Sequence, residues 1–287
     1  MLGAIIGDTV GSHYEFHNTK DYDFEMFADR SCYTDDSVMT MAIAHWLLTD
    51  PELSYKGLEE AMVLFGERCP CPMGGYGGGF SCWLFHPTEL KGFDGKEGTP
   101  LYESPQGRRP YGSFGNGSAM RVSAVGWFFD SLERTLEVAE KSAAITHNHP
   151  EGIKGAQATA AAIYLARTGK TKQEIRQYIE NSFGYDLSRG WDYWHGVYGW
   201  DSSCQGTVPQ ALIAFLESSD FEDAIRKAVS LGGDSDTLAC ITGGVAEAYY
   251  KKIPAYMVEK ATEHIPVVFK KLLSAFREKT PYGELTL

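Results

Sequence analysis

Residues 233–250 read GDSDTLACITGGVAEAYY, and within them Leu238, Ile241, Val245, Ala248 and Tyr249 recur at intervals of three and four. That period lays one apolar stripe along a helix, and such a stripe faces a core. Working outward from it, the same period marks helices near 2–14, 35–49, 54–68, 117–130, 134–145, 151–168, 172–182, 205–217, 221–230, 254–263 and 266–278. No run alternates β-branched with polar residues as a half-buried strand would. The expected fold class is all-α.

At 287 residues, folding buries about three-quarters of the surface of the extended chain. With 43% hydrophobic and 22% charged residues the composition is that of a globular protein, and one compact domain over 1–287 is expected. The 26 basic against 38 acidic residues give a net charge of -12, which argues against a partner gripped along an extended nucleic-acid backbone. The opening MLGAIIGDTVGSHYEF has no basic n-region, and Asp8 and Glu15 interrupt its apolar character, so it does not read as a signal peptide. No segment has the roughly 18 consecutive apolar residues of a membrane span. Cys32, Cys69, Cys71, Cys82, Cys204 and Cys240 are scattered without zinc-site spacing. They fit reduced thiols, and a cytoplasmic location is expected.

The Gly- and Ala-rich stretch from Gly152 to Ile163 allows close approach of neighbouring helices and is expected to be central. Two long loops are expected, 70–116 with its run of glycines and 184–204 with Trp191, Tyr193, Trp194, Tyr198 and Trp200. Long loops inside a helical domain commonly carry function, and aromatics such as Trp83, Phe85 and Trp191 call for burial, so neither reads as a linker.

Two acidic clusters stand directly before helices: Thr34-Asp35-Asp36-Ser37 and Gly233-Asp234-Ser235-Asp236-Thr237. Each one taken alone is explained by capping, since Thr, Ser and Asp accept hydrogen bonds from orphan helix N–H groups. A cap uses one oxygen, however, and each cluster supplies a threonine hydroxyl and two carboxylates, the donors chosen by hard cations such as Mg²⁺ and Ca²⁺. If the two helix starts converge, carboxylates packed so closely need cations to offset their repulsion. Glu15 is either a further oxygen donor, a water-positioning base or a solvated glutamate. Asp8 is either a buried helper or a plain helix-face carboxylate.

Between the clusters lies Gly112-Ser113-Phe114-Gly115-Asn116-Gly117, a turn that opens a helix. Small residues at such a turn expose backbone N–H groups that suit a diphosphate, and they equally suit a tight turn capped by Asn116. Phe114 either stacks on a base or fills the core. In Thr146-His147-Asn148-His149 the histidines lack a transition-metal ligand set; His147 is the candidate for substrate contact, with a satisfied turn histidine as the alternative.

In this order, Gly3 to Asp8 with Glu15, Thr34-Asp35-Asp36, the turn from Gly112 to Arg121, the His147 segment and Asp234-Ser235-Asp236-Thr237 resemble the ADP-ribosylglycohydrolases over almost the whole chain. The resemblance implies an all-α domain with two Mg²⁺ ions, for which Mn²⁺ or Ca²⁺ substitutes, held by Thr34, Asp35, Asp36, Asp234, Asp236 and Thr237. It implies that Gly112, Ser113, Phe114, Gly115, Asn116, Gly117 and His147 contact ADP-ribose. The partner is then ADP-ribose or an ADP-ribosylated substrate, and the reaction is hydrolysis at the anomeric carbon, with Glu15, Asp35 or Asp236 taking the proton of the attacking water. Neither the acceptor nor the oligomeric state follows from it. The rival readings are a two-metal nucleotide phosphohydrolase and a noncatalytic, crystallin-like relative that binds ADP-ribose.

Overall fold

The computed structural model describes residues 1–92, 95–96 and 98–280. In chain order the helices are α1 (Leu2–Gly11), α2 (Asp35–Thr49), α3 (Tyr55–Arg68), α4 (Gly78–Phe85), α5 (Gly117–Met120), α6 (Ser123–Phe128), α7 (Leu132–Ala144) and α8 (Pro150–Arg167). They continue with α9 (Lys172–Phe183), α10 (Trp191–Val197), α11 (Cys204–Leu216), α12 (Phe221–Ser230), α13 (Ser235–Tyr250), α14 (Ala255–His264) and α15 (Val267–Lys279). Among the described residues the β-type pairing amounts to two isolated bridges, Thr34 with Met73 and Gly115 with Ser203. The all-α expectation holds.

Local chemistry starts and stops several helices. Ser54, Ser131, Ser203 and Asp220 each accept a backbone N–H at an N-terminus, and Thr171 with Glu174 forms a reciprocal capping box. Gly184, at φ 68°, ends α9 in the left-handed conformation that costs glycine least.

Helix α13 is buried along almost its whole length, and α1 packs against it antiparallel. Gly3, Gly7 and Gly11 lie one turn apart on α1, and a Cβ on any of them would collide with Gly243, Ala239 or Asp236 of α13. Only hydrogen at these positions lets the two backbones come so close. Helix α8 packs against α5 to α7, α9, α11 and α13, with Ala156, Ala158, Ala160, Ala161 and Ala162 buried, so the Gly/Ala-rich segment is central.

Two stretches expected to be loops contain helices. Helix α4 forms behind Gly77, held by burial of Phe80, Trp83 and Leu84. Helix α10 is pinned where the Trp191 indole N–H donates to the Lys227 carbonyl at 2.9 Å. Conversely, the single helix expected over 117–130 is broken at Arg121 and Val122, where the Arg121 side chain turns inward to the Ser142 carbonyl. Among the described residues no helix is long and apolar enough to cross a membrane.

Candidate active site

Helix α1 assembles the site. Asp8 is buried in the middle of it, and its carboxylate accepts from the Thr34 backbone N–H at 3.0 Å, from the Thr34 hydroxyl at 2.7 Å and from the Ser37 backbone N–H at 3.0 Å. The Ser37 hydroxyl also donates to it. Asp8 is therefore the buried helper, and it fixes the turn that carries the first acidic cluster. Thr34 caps α2 by accepting from the Asp36 N–H at 3.2 Å.

At its C-terminal end α1 meets the second cluster. Gly11 lies against Asp236 and Ser235, and the Ser235 hydroxyl donates to the Tyr14 carbonyl at 3.3 Å. Asn18 brackets Gly233, donating to its carbonyl at 2.9 Å and accepting from its N–H at 2.7 Å. Capping does not explain Asp234: its side chain caps nothing, and its Oδ2 accepts from the Asn116 amide at 2.7 Å.

The two helix starts converge. Glu15, Asp35, Asp36, Asp234, Asp236 and Thr237 all line one cavity of about 470 Å³. Glu15, Asp234 and Asp236 each offer a carboxylate oxygen within 4.8 Å of the others, a spacing that can hold a cation. Thr34 sits just behind, its hydroxyl 3.5 Å from Asp36 Oδ2. Burial pushes the carboxyls of Asp35, Asp36 and Asp236 well above the usual carboxylate range, and the neighbouring carboxylates push the same way. Burial also raises Asp234, lifts Asp8 to about 6 and lifts Glu15 to about 7, the last helped by Asp234 and Asp8. Asp36 Oδ1 and Asp236 Oδ1 are buried without a hydrogen-bond partner among the described residues. Such atoms call for a ligand or a proton.

The glycine turn lines the same cavity. Ser113, Gly115, Asn116 and Gly117 line the cavity, as does His147. Asn116 does not cap α5; its amide donates to Thr207 Oγ1 at 3.1 Å and to Asp234, which ties the turn to the acidic end. The backbone N–H groups of Gly112, Gly115 and Asn116 are committed to Asn148, Ser113 and Ser202, which narrows what the turn offers an anion. Phe114 is 36% exposed and meets His149 edge-on at 5.3 Å, so it does not fill the core. His149 caps α8 by accepting from the Glu151 N–H at 3.1 Å.

Further lining residues come mostly from the stretches 70–116 and 184–204, which the sequence marks as functional regions without singling out these positions. Gly74, at φ 76°, gives room to the Glu15 carboxylate, which a Cβ there would press at 2.6 Å. Tyr76, Phe80, Tyr111, Arg121 and Trp200 also line the cavity. The glycine run 74–79 and the tryptophans were visible as composition, but nothing in the sequence aimed them at Asp35 or Glu15.

Comparison with known proteins identifies the family. The family model described as ADP-ribosylglycohydrolase matches residues 1–281. The chain is 25% identical to the Homo sapiens ADP-ribosylhydrolase ARH3, covering 87% of this chain and 84% of that protein. It is 26% identical to the ADP-ribosylarginine hydrolase Tri1 of Pseudomonas putida (strain GB-1), covering 95% and 76%. A solved chain titled ADP-ribosylglycohydrolase-related protein complex superposes with a TM-score of 0.70 at 19% identity, over 97% of this chain and 96% of that one, and so shares its fold. Sequence match and shared architecture run from end to end, and the chain belongs to the ADP-ribosylglycohydrolase family.

Proposed function

We propose that the protein hydrolyses the glycosidic bond between ADP-ribose and a modified acceptor, releasing ADP-ribose, with two divalent cations, Mg²⁺ by preference. One observation carries the reading: carboxylates from the starts of α2 and α13, and Glu15 from the turn that follows α1, line one cavity together with the glycine turn.

The residues fit hard cations. All the donors are oxygens, and two buried carboxylate oxygens have no partner among the described residues. We assign the ions to Thr34, Asp35, Asp36, Asp234, Asp236 and Thr237. Cations bound there supply positive charge and Lewis acidity beside the anomeric carbon. Glu15, with a carboxylate oxygen within 4.8 Å of those of Asp234 and Asp236, is placed to take the proton of the attacking water. Asp35 and Asp236 are the other carboxylates placed to do so. Along the glycine turn the Ser113 hydroxyl, the Gly117 end and His147 receive the diphosphate, and Phe114 offers an exposed ring for the base.

The test is direct. The purified protein is incubated with arginine- and serine-linked ADP-ribosyl peptides, with Mg²⁺ or with a chelator, and the products are separated chromatographically. Free ADP-ribose, formed only with Mg²⁺, is the expected result, and the two peptides distinguish the acceptors. Phosphate or pyrophosphate released from nucleoside triphosphates, without any ADP-ribose, would replace this reading with a nucleotide phosphohydrolase. Tight ADP-ribose binding without turnover would make the chain a noncatalytic relative.

A further inference from the structure

Along the cavity wall runs a chain of buried polar groups that begins at Arg121 and ends on His147. Arg121 is 1% exposed, and its Nη2 donates to the Ser142 carbonyl at 2.8 Å and to Thr146 Oγ1 at 2.9 Å. Thr146, fully buried, lies with the same Oγ1 2.7 Å from His147 Nδ1. The Thr146 backbone takes part as well, its carbonyl accepting from the Tyr111 N–H at 3.2 Å just before the glycine turn.

Hydrogen counting sets the direction of this chain. A guanidinium has no acceptor, so Thr146 Oγ1 must accept from Arg121. The hydroxyl then has one proton to place, and the only acceptor the described residues put beside it is His147 Nδ1. A proton on Nδ1 would instead strand the threonine hydroxyl in a fully buried site, which folded proteins avoid. The ring proton therefore sits on Nε2. That nitrogen faces the turn: a Cβ built on Gly117 would lie 3.2 Å from it, and one on Gly115 3.7 Å.

We propose that Arg121 and Thr146 are positioning residues that hold His147 as the Nε2–H tautomer, aiming one hydrogen-bond donor at the ligand beside Gly115 and Gly117. The role assigned to the donor rests on the function proposed above; the tautomer does not. Burial, and then the Arg121 charge, keep the imidazole well below its usual pKa, so the donor is neutral at physiological pH. An arginine suits this buried position because its guanidinium stays charged where a lysine would lose its proton more readily.

Nitrogen-15 NMR of histidine-labelled protein tests the inference, with the signal of His147 picked out among 8 histidines by a His147→Gln difference spectrum. The expected spectrum of the unaltered protein shows His147 protonated at Nε2 and bare at Nδ1. In Thr146→Val this pattern is lost, and KM for an ADP-ribosyl peptide rises about tenfold, the worth of one directed hydrogen bond, with kcat within about twofold. Thr146→Ser, which keeps the hydroxyl, restores both. Protonation at Nδ1 in the unaltered protein overturns the inference, as does a Thr146→Val protein with unchanged spectrum and KM. Absence of ADP-ribose binding to the unaltered protein by calorimetry would sink the hydrolase reading instead, and the spectrum would still decide the tautomer.

Discussion

The Thr237 hydroxyl donates to the Asp36 carboxylate at 3.3 Å, although 201 positions separate the two residues. Two helix N-termini thus open into one acidic space, and each brings the positive end of its dipole to carboxylates that would otherwise repel.

Removing one carboxylate from either cluster should therefore disable the whole. Asp35→Ala and Asp236→Ala are each expected to lower Mg²⁺-dependent release of ADP-ribose by roughly 10²-fold or more. The rise in melting temperature that Mg²⁺ gives the unaltered protein should disappear in both, while the fold by circular dichroism is retained. Full turnover in both variants, against a chelator control, would remove these residues from the chemistry.

The same crowding predicts how stability depends on pH without metal. Asp8 and Glu15 have folded-state pKa values raised to about 6 and about 7, above their ordinary 3.8 and 4.5. Between those limits the folded chain holds protons that the unfolded chain has released, so these two groups make stability fall as pH rises from about 4 to about 7. Asp35, Asp36 and Asp236, raised by burial and by one another, add in the same direction. Thermal melts in chelator should show this decline, and Mg²⁺ should reverse it most strongly at the higher pH. Melting temperatures that climb over this interval in chelator would contradict the assignment.

Phe114, partly exposed beside the glycine turn, separates ligand binding from metal binding. Phe114→Ala should weaken ADP-ribose binding about tenfold, the loss expected for one aromatic stacking contact, with metal affinity unchanged by calorimetry. Equal affinity in the two proteins would show that the ring stacks on nothing.

Gly11 offers a mechanical test. A Cβ at this position would lie 2.4 Å from the Asp236 Cα and 2.5 Å from the Ser235 carbonyl oxygen, and backbone cannot step aside as a side-chain tip can. Gly11→Ala should cost roughly 1–3 kcal/mol of stability. It should also weaken Mg²⁺ binding, because what it displaces is the start of α13. A variant as stable as the unaltered protein, with the same metal affinity, would mean that the seam between α1 and α13 is looser than described.

Much of this was legible in the sequence, for identifiable reasons. Helices α2 and α13 begin and end where periodicity placed them, because a buried stripe and a polar start leave little choice of frame. The two acidic clusters stood out because they hold more oxygen than capping uses. Helices α4 and α10 did not, since Gly77 to Gly79 and the aromatic run around Trp191 have poor helix propensity; burial of Phe80, Trp83 and Leu84 holds α4, and long-range contacts such as Trp191 to the Lys227 carbonyl hold α10. The spacing of Gly3, Gly7 and Gly11 was plain, but a glycine stripe acquires meaning only when its partner surface is known. The hydrogen bonds of Asp8 and Asn116 cross 26 and 118 positions, and no local pattern encodes them. The sequence alone accordingly admits two roles for Asp8 and a cap for Asn116.

Helix α1 serves both clusters, gripping one through Asp8 and touching the other through Gly11. Each residue inserted into or deleted from it would turn everything beyond by about 100° and unseat both contacts together. Its length is thus a fixed gauge, whereas the stretches 70–116 and 184–204 can lengthen or shorten without disturbing that measurement. Descendants of this chain that come to act on new acceptors should differ at the rim and keep the ruler.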